Sequence, residues 1–393
     1  MLLRIIIGIA SKSLGLFAQL IIAAFIFHYY GAAEAGIFGV LQGVTTVLLM
    51  SLSMAMPRLV AVKHRYFSYT CFVGLTFVAT ILSAFFYSLI VYHFIECDLF
   101  VATLIFLIKA CDCMSEVNAV VYRRRNLDAR FATAQLARLV WVLCMAGVSY
   151  LYLLTVASFL LMVLFGYVAI LLADFKYLKL SLSRFSLYGS VRTYGRLLKG
   201  AYPNVYGAFI STAITTSPRY VALWWFGVEL SGLYYMASYV YLIVTMLWSI
   251  IIQLTIVSTK DLIKSWRLIE RRIYIGMLAF YIVMFVILLT AGDWMVRLLF
   301  ADKANNGVLD ISLWLVAASI PLVVRDLNGY RMIKLGLLAG YNLSSVVGLV
   351  FFWLSWWLIS SKAVFVDIGM VLFAANLVSL LPIIFLSTRG LRK

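Results

Sequence analysis

The stretches YGAAEAGIFGVLQG (residues 30–43) and FGVELSGLYYMASY (residues 226–239) carry one pattern twice, at an offset of 196 in a chain of 393 residues. Gly31, Gly36, Ile37 and Phe38 of the first correspond to Gly227, Gly232, Leu233 and Tyr234 of the second, and a tetrad of small and acidic character separates the glycines in each. The correspondence extends outward. Leu2, Leu3 and Arg4 are echoed by Leu197, Leu198 and Lys199, and SEVNAVVYRR (115–124) by RDLNGYRMIK (325–334) at an offset of 210. The latter puts Glu116 over Asp326, Asn118 over Asn328 and Arg124 over Lys334. Apolar composition alone would not keep glycines and an acid-x-Asn pair in register, so the chain reads as a duplication.

Composition decides the solvent. The chain is 65% hydrophobic and 12% charged, whereas soluble domains run near 45–50% apolar and about 25% charged. Crossing the hydrocarbon core takes about 20 mostly apolar residues. Such runs fall at roughly 2–27, 36–57, 69–95, 99–121, 131–152 and 156–178, then at roughly 200–223, 230–257, 273–299, 308–332, 335–359 and 363–387. The reading is an all-α polytopic membrane protein with twelve transmembrane helices. The first run, which contains Arg4 and Lys12, is a retained helix and not a removed signal. Six helices per half is an even number, so both halves start on one side. The expected lobes, 1–190 and 191–393, are parallel repeats around a central cavity.

The net charge of +17 is accounted for by its distribution. Alternate connections are basic: Arg58, Lys63 and Arg65; Arg123, Arg124, Arg125 and Arg130; the segment from Lys176 to Lys199. The second half continues with Lys260, Lys264, Arg267, Arg271 and Arg272, then Arg331 and Lys334, then Arg389, Arg392 and Lys393. With Arg4, that side holds 24 of the 32 Lys and Arg residues. The other side has Arg219, Arg297, Lys303 and Lys362 beside Glu34, Glu96, Asp98, Glu229 and Asp302. Basic loops stay cytoplasmic, which places both termini inside and leaves no call for a nucleic-acid partner.

Several chemistries are excluded at this level. The longest connection, 179–199, is too short for an independently folded catalytic domain. The chain has no G-x-x-x-x-G-K-[ST] loop and no nucleophile elbow. His28, His64 and His93 lack metal-ligand spacing. Cys71, Cys111, Cys113 and Cys144 fall inside spans and make no disulfide framework. The expectation is a non-enzyme without cofactor or metal.

Charges inside a bilayer are costly and mark function. Gly8, Lys12, Gly15 and Gln19 share one face of the first helix, and the matching face of the seventh, Asn204, Ala208, Ser211 and Thr215, is polar but uncharged. Lys109, Asp112 and Glu116 share a face of the fourth helix, which reads equally as an ion-pair ladder pinning helices and as a cavity lining. Gln135 and Arg138 share a face of the fifth. The substrate-cavity candidates are Lys12, Gln19, Lys109, Arg138, Arg219 and Arg325, with Asp112 and Glu116 as candidates for ion coupling. Arg219 and Arg325 read alternatively as snorkelling to head groups. The run at 123–125 suits lipid phosphate. Trp224, Trp225, Trp353, Trp356 and Trp357 suit an interfacial belt first and sugar stacking second.

The segment HYYGAAEAGIFGVLQGVTTVLLMSLSMAMPRLVAV (28–62), repeated as WWFGVELSGLYYMASYVYLIVTML (224–247), resembles the polysaccharide-transporter branch of the multidrug/oligosaccharidyl-lipid/polysaccharide exporters. Within that branch the chain is similar to the Wzx-type O-antigen flippases of bacterial inner membranes. The resemblance implies a twelve-helix transporter moving an undecaprenyl-diphosphate-linked oligosaccharide, an O-antigen repeat unit, from the cytoplasmic to the periplasmic leaflet among membrane lipids. An O-antigen polymerase is the implied partner. The excess of intramembrane cations suits a diphosphate. A drug- or cation-exporting antiporter of the same superfamily is the alternative and calls for acidic lumen residues. The polymerase itself calls for a large periplasmic loop, which this chain lacks.

Overall fold

In the computed structural model every described element is helical, over residues 2–63, 69–125, 127–180, 187–258, 262–300, 307–334 and 338–390. His64, Arg65, Lys260, Asp302, Lys303, Arg392 and Lys393, named above, lie outside the described residues, as do the side chains of Arg4, Arg58, Lys63, Arg123, Arg124, Lys199, Asn204, Lys264, Arg267, Arg297, Arg331, Lys334 and Arg389. The first half comprises α1 (Leu2–Phe25), continued by a π-helical turn over Ile26–Tyr30, then α2 (Ala32–Lys63), α3 (Tyr69–Phe94), α4 (Leu99–Arg124), α5 (Asp128–Tyr152) and α6 (Val156–Tyr177). The second comprises α7 (Leu187–Phe226), α8 (Val228–Ser258), α9 (Leu262–Phe300), α10 (Gly307–Lys334), α11 (Leu338–Ile359), α12 (Asp367–Val378) and α13 (Leu380–Gly390). Ser379 separates α12 from α13 yet still donates its N–H to Ala375 O at 3.0 Å, so the two share one apolar run. The lobe boundary expected at 190/191 falls inside α7.

Among the described residues ten helices are long and apolar enough to cross a membrane. The two expected spans outside that set are α4 and α7. Both have the length, 26 and 40 residues. Their composition excludes them: α4 carries Lys109, Asp112 and Glu116, and α7 carries the polar run 211–219. Polar residues in lipid must face protein or water, so these two helices belong to the interior of the bundle.

The pairing repeats at a shift of six helices. In the first half α1 packs on α5, α2 on α4 and α4 on α6; in the second α7 packs on α11, α8 on α10 and α10 on α12. The halves join through α2, which lies against both α7 and α8, and through α1 against α8.

The repeated glycines make that join possible. Gly31 and Gly227 have φ of +110° and +86°, the region that side chains avoid, and each ends a helix. Gly31 N–H bonds Ile26 O and Gly227 N–H bonds Leu223 O, both at 3.1 Å. Five residues on, the backbones of α2 and α8 touch: a Cβ on Gly36 would lie 2.2 Å from Val228 O, and one on Gly232 would lie 2.0 Å from Ala32 O. One turn further the symmetry breaks. Gly39 and Tyr235 are again 196 apart, but a Cβ on Gly39 would sit 2.4 Å from Tyr235 Cγ. Thus the residue that is glycine in one half is tyrosine in the other, and the ring fills the space the glycine leaves. Gly31→Ala and Gly227→Ala should each cost about 1 kcal/mol of stability through positive φ. The expected result is a lower thermal-unfolding midpoint for each protein in detergent, with near-additive effects in the double variant because the two turns are separate.

Candidate functional site

Three helices of the first half converge on Asp112. It lies one turn from Lys109 on α4, with its Oδ2 3.8 Å from Lys109 Nζ. From α5, Arg138 donates Nη1 to Asp112 Oδ1 at 3.1 Å. From α1, Gln19 closes the ring: its Nε2 donates to Asp112 Oδ2 at 2.9 Å and its Oε1 accepts from Lys109 Nζ at 2.8 Å. Arg138 is only 2% exposed, and its guanidinium lies over the Tyr167 ring at 4.8 Å. Beside it Gln135 donates to Ser115 Oγ at 3.1 Å and presses on Gly15, where a Cβ would meet Gln135 Oε1 at 2.8 Å. The small residue on α1 is what lets α5 bring its arginine in. Lys109 and Arg138 are two basic groups on the one carboxylate they contact, with Glu116 one turn further along α4.

A hydrogen-bonded chain ties this cluster to the second half. Tyr235 donates to Gln42 Oε1 at 2.5 Å, and the single hydroxyl proton of Tyr239 on α8 is shared between Tyr235 Oη at 2.7 Å and the Gln19 carbonyl at 3.2 Å. Arg219 on α7 lies 4.9 Å over the Tyr235 ring and donates to Gly39 O at 3.2 Å. Beside the cluster, and lined only by α1, α2 and α4, is a cavity of about 10 Å³ bounded by Gln19, Gln42, Lys109, Asp112, Ile105 and Ile108. That is room for about one water.

The structure gathers Gln19, Lys109, Asp112 and Arg138 into one network and sets Arg219 across the seam from it. Lys12 is half-buried on α1 and makes no hydrogen bond or ion pair with the cluster, and Glu116 likewise makes none among the described residues. Of the α4 ladder the rung from Lys109 to Asp112 is present, and Asp112 also bridges outward to α5 and α1. Arg325 lies elsewhere, fully buried within the second half, donating to Ser211 Oγ at 3.1 Å and 3.7 Å from Asp326. Snorkelling does not hold for Arg219 or Arg325, which are 6% and 0% exposed. Of the tryptophans, Trp356 is buried while Trp224, Trp225 and Trp357 face outward as a belt would. Gln42, Tyr235, Tyr239 and Tyr167 were not singled out from sequence. A signal existed for two of them: Tyr235 and Tyr239 fall at i+3 and i+7 from Gly232, on one face of α8, opposite Gly36 and Gly39.

Arg219→Gln should loosen the seam. Losing a buried charge-assisted bond and a ring contact removes about 1–3 kcal/mol from the closed form. A cysteine placed at Gln42, in a background lacking the natural cysteines, should then react at least about tenfold faster with a membrane-impermeant thiol reagent.

No protein-family model matches the chain, and no curated protein matches it by sequence. Solved structures do match. Lipid II flippase MurJ in its inward closed conformation superposes with a TM-score of 0.69 at 15% identity, over 99% of this chain and 88% of that one. An inward-facing multidrug-resistance MATE transporter of the MOP superfamily gives 0.67 at 10%, over 97% and 98%. The Vibrio cholerae MATE transporter VcmN in the bent form gives 0.61 at 14%, over 100% and 96%. The fold is that of the MOP-superfamily transporters. These neighbours are transporters and flippases, and the ten apolar helices are those of a multi-pass membrane protein.

Proposed function

We propose that the protein is a flippase that moves an undecaprenyl-diphosphate-linked oligosaccharide, an O-antigen repeat unit, from the cytoplasmic to the periplasmic leaflet of a bacterial inner membrane, with both termini cytoplasmic. The observation that carries this reading is the Lys109–Asp112–Arg138 cluster, in which two basic side chains, one half-buried and one buried, share one carboxylate beside a small cavity. A buried excess of positive charge is costly without an anion. A diphosphate of about two negative charges is the matching cargo, since guanidinium and ammonium groups donate to phosphate oxygens without a metal.

The transport step breaks no covalent bond. With the lobes parted toward the cytoplasm, the diphosphate meets Arg138 and Lys109, and the polyprenyl tail stays in lipid. The lobes then close below it and part at the end where Gly36 meets Gly232, which exchanges the α2–α8 contact, the Arg219–Gly39 bond and the Tyr239–Gln19 bond for an opening. The membrane potential favours this direction by about 2.3 kcal/mol per charge per 100 mV, so two charges supply about 4–5 kcal/mol. The O-antigen polymerase is the proposed recipient of the product. Among the structural neighbours MurJ is a lipid II flippase and others are multidrug-resistance transporters, and the basic cluster is what favours an anionic cargo over a cationic drug.

The deciding experiment is a leaflet assay on a deletion strain. Loss of the flippase should strand single repeat units on the cytoplasmic leaflet. Repeat units stranded singly on the outer leaflet would instead mark a polymerase, and unchanged repeat units together with tolerance to organic cations on expression would mark a drug exporter.

A further inference from the structure

Asp112 occupies the donors that an anionic cargo would need. Its Oδ1 takes Arg138 Nη1 at 3.1 Å, while its Oδ2 takes Gln19 Nε2 at 2.9 Å and lies 3.8 Å from Lys109 Nζ. A carboxylate and a phosphate address a guanidinium through the same paired-oxygen geometry, so the two compete for one place. The occupancy is incomplete. Arg138 leaves Nε and Nη2 without an acceptor although the side chain is 2% exposed, and a phosphate brings more oxygens than the two of Asp112. Without Asp112 an empty carrier would hold Lys109 and Arg138 inside a membrane with no carboxylate in contact with them. Gln19 donates to Oδ2 from a different helix, so the carboxylate keeps a partner after giving up the cations.

We propose that Asp112 is an internal stand-in for the cargo's phosphates: it neutralises Lys109 and Arg138 while the carrier returns empty, and is displaced from them when cargo binds. This rests on the reading above, in which those cations take a diphosphate. It divides the cluster by role. Lys109 and Arg138 govern capture, and Asp112, a positioning residue, governs release and empty return.

The test uses the full chain, with inorganic pyrophosphate as the binding probe and a fluorescent polyprenyl-diphosphate lipid in proteoliposomes as the transport probe. Asp112→Asn should bind pyrophosphate about tenfold more tightly, because the competing charge is gone. Net one-way transport should fall about tenfold, and lipid exchange between leaflets should fall distinctly less, since a loaded carrier passes in both directions without an empty return. Asp112→Glu should restore net transport. Asp112→Ser, smaller and uncharged, repeats the test with the same expected pattern if the Asn variant does not accumulate. Unchanged pyrophosphate binding, or an equal loss of exchange and net transport, would make Asp112 a structural contact and overturn the proposal while the cation reading stands. Wild-type pyrophosphate binding by both Lys109→Ala and Arg138→Ala would instead remove the cation reading, and this proposal with it.

Discussion

Gly36→Val and Gly232→Val should each hold the protein open at the end where α2 meets α8. A Cβ at either position would overlap a backbone carbonyl of the facing helix, at 2.2 Å and 2.0 Å respectively, and neither carbonyl can swing aside as a flexible side chain would. Overpacking of this kind costs about 1–3 kcal/mol, and the backbone contact puts these sites at the upper end. The cost falls on the closed arrangement, because parting the lobes relieves it. The closed population should therefore drop by about 10- to 100-fold. Two readouts follow: faster thiol labelling of a cysteine at Gln42, and flipping reduced by at least about tenfold. Gly147→Ala, where an added Cβ meets nothing within 4 Å, is the control and should behave as wild type. Wild-type labelling and flipping in both valine variants would mean that the α2–α8 contact takes no part in the cycle.

Arg138→Ala should abolish flipping while the protein still inserts in the membrane. The guanidinium is 2% exposed, supplies one donor to Asp112 and stacks on Tyr167, so its loss leaves Asp112 Oδ1 without its partner and the site without its fork-shaped anion donor. A hydrogen bond to a charged group contributes about 1.5–3 kcal/mol, which corresponds to a loss of roughly 10- to 150-fold. Arg138→Lys should recover little of this, since an ammonium lacks the planar fork. Lys109→Ala should be similarly affected through its contacts with Gln19 and Asp112, whereas Lys12→Ala should stay nearer wild type because Lys12 bonds nothing in the cluster. Flipping assayed in proteoliposomes at matched protein level checks this. Full activity in both Arg138→Ala and Lys109→Ala would sink the cavity assignment.

The sequence read well wherever a local rule applied. Hydropathy and length place the helices because hydrocarbon admits little else, and the two helices that fail the apolar test, α4 and α7, fail through their polar residues. Helical periodicity put Lys109 and Asp112 on one face, and the structure makes them partners. Lys12 and Arg325 show the limit. One-helix periodicity states which way a side chain faces relative to its own axis, not which helix stands opposite. Which helix faces Arg325 is given only by the structure, which sets Ser211 of α7 against it.

What the sequence by itself determined is the membrane class, the helix placement and the doubling, because each follows from composition or spacing along the chain. Only the tertiary structure decided why the doubled glycines are there. Gly36 and Gly232 face each other across the seam, while Gly39 and its counterpart Tyr235 interlock as hole and ring, so equivalent positions must differ where two copies of one motif meet. It alone also decided that Asp112 binds Arg138 and Gln19 from two other helices, since that contact depends on how close three axes come, which the order of residues along any one of them does not record.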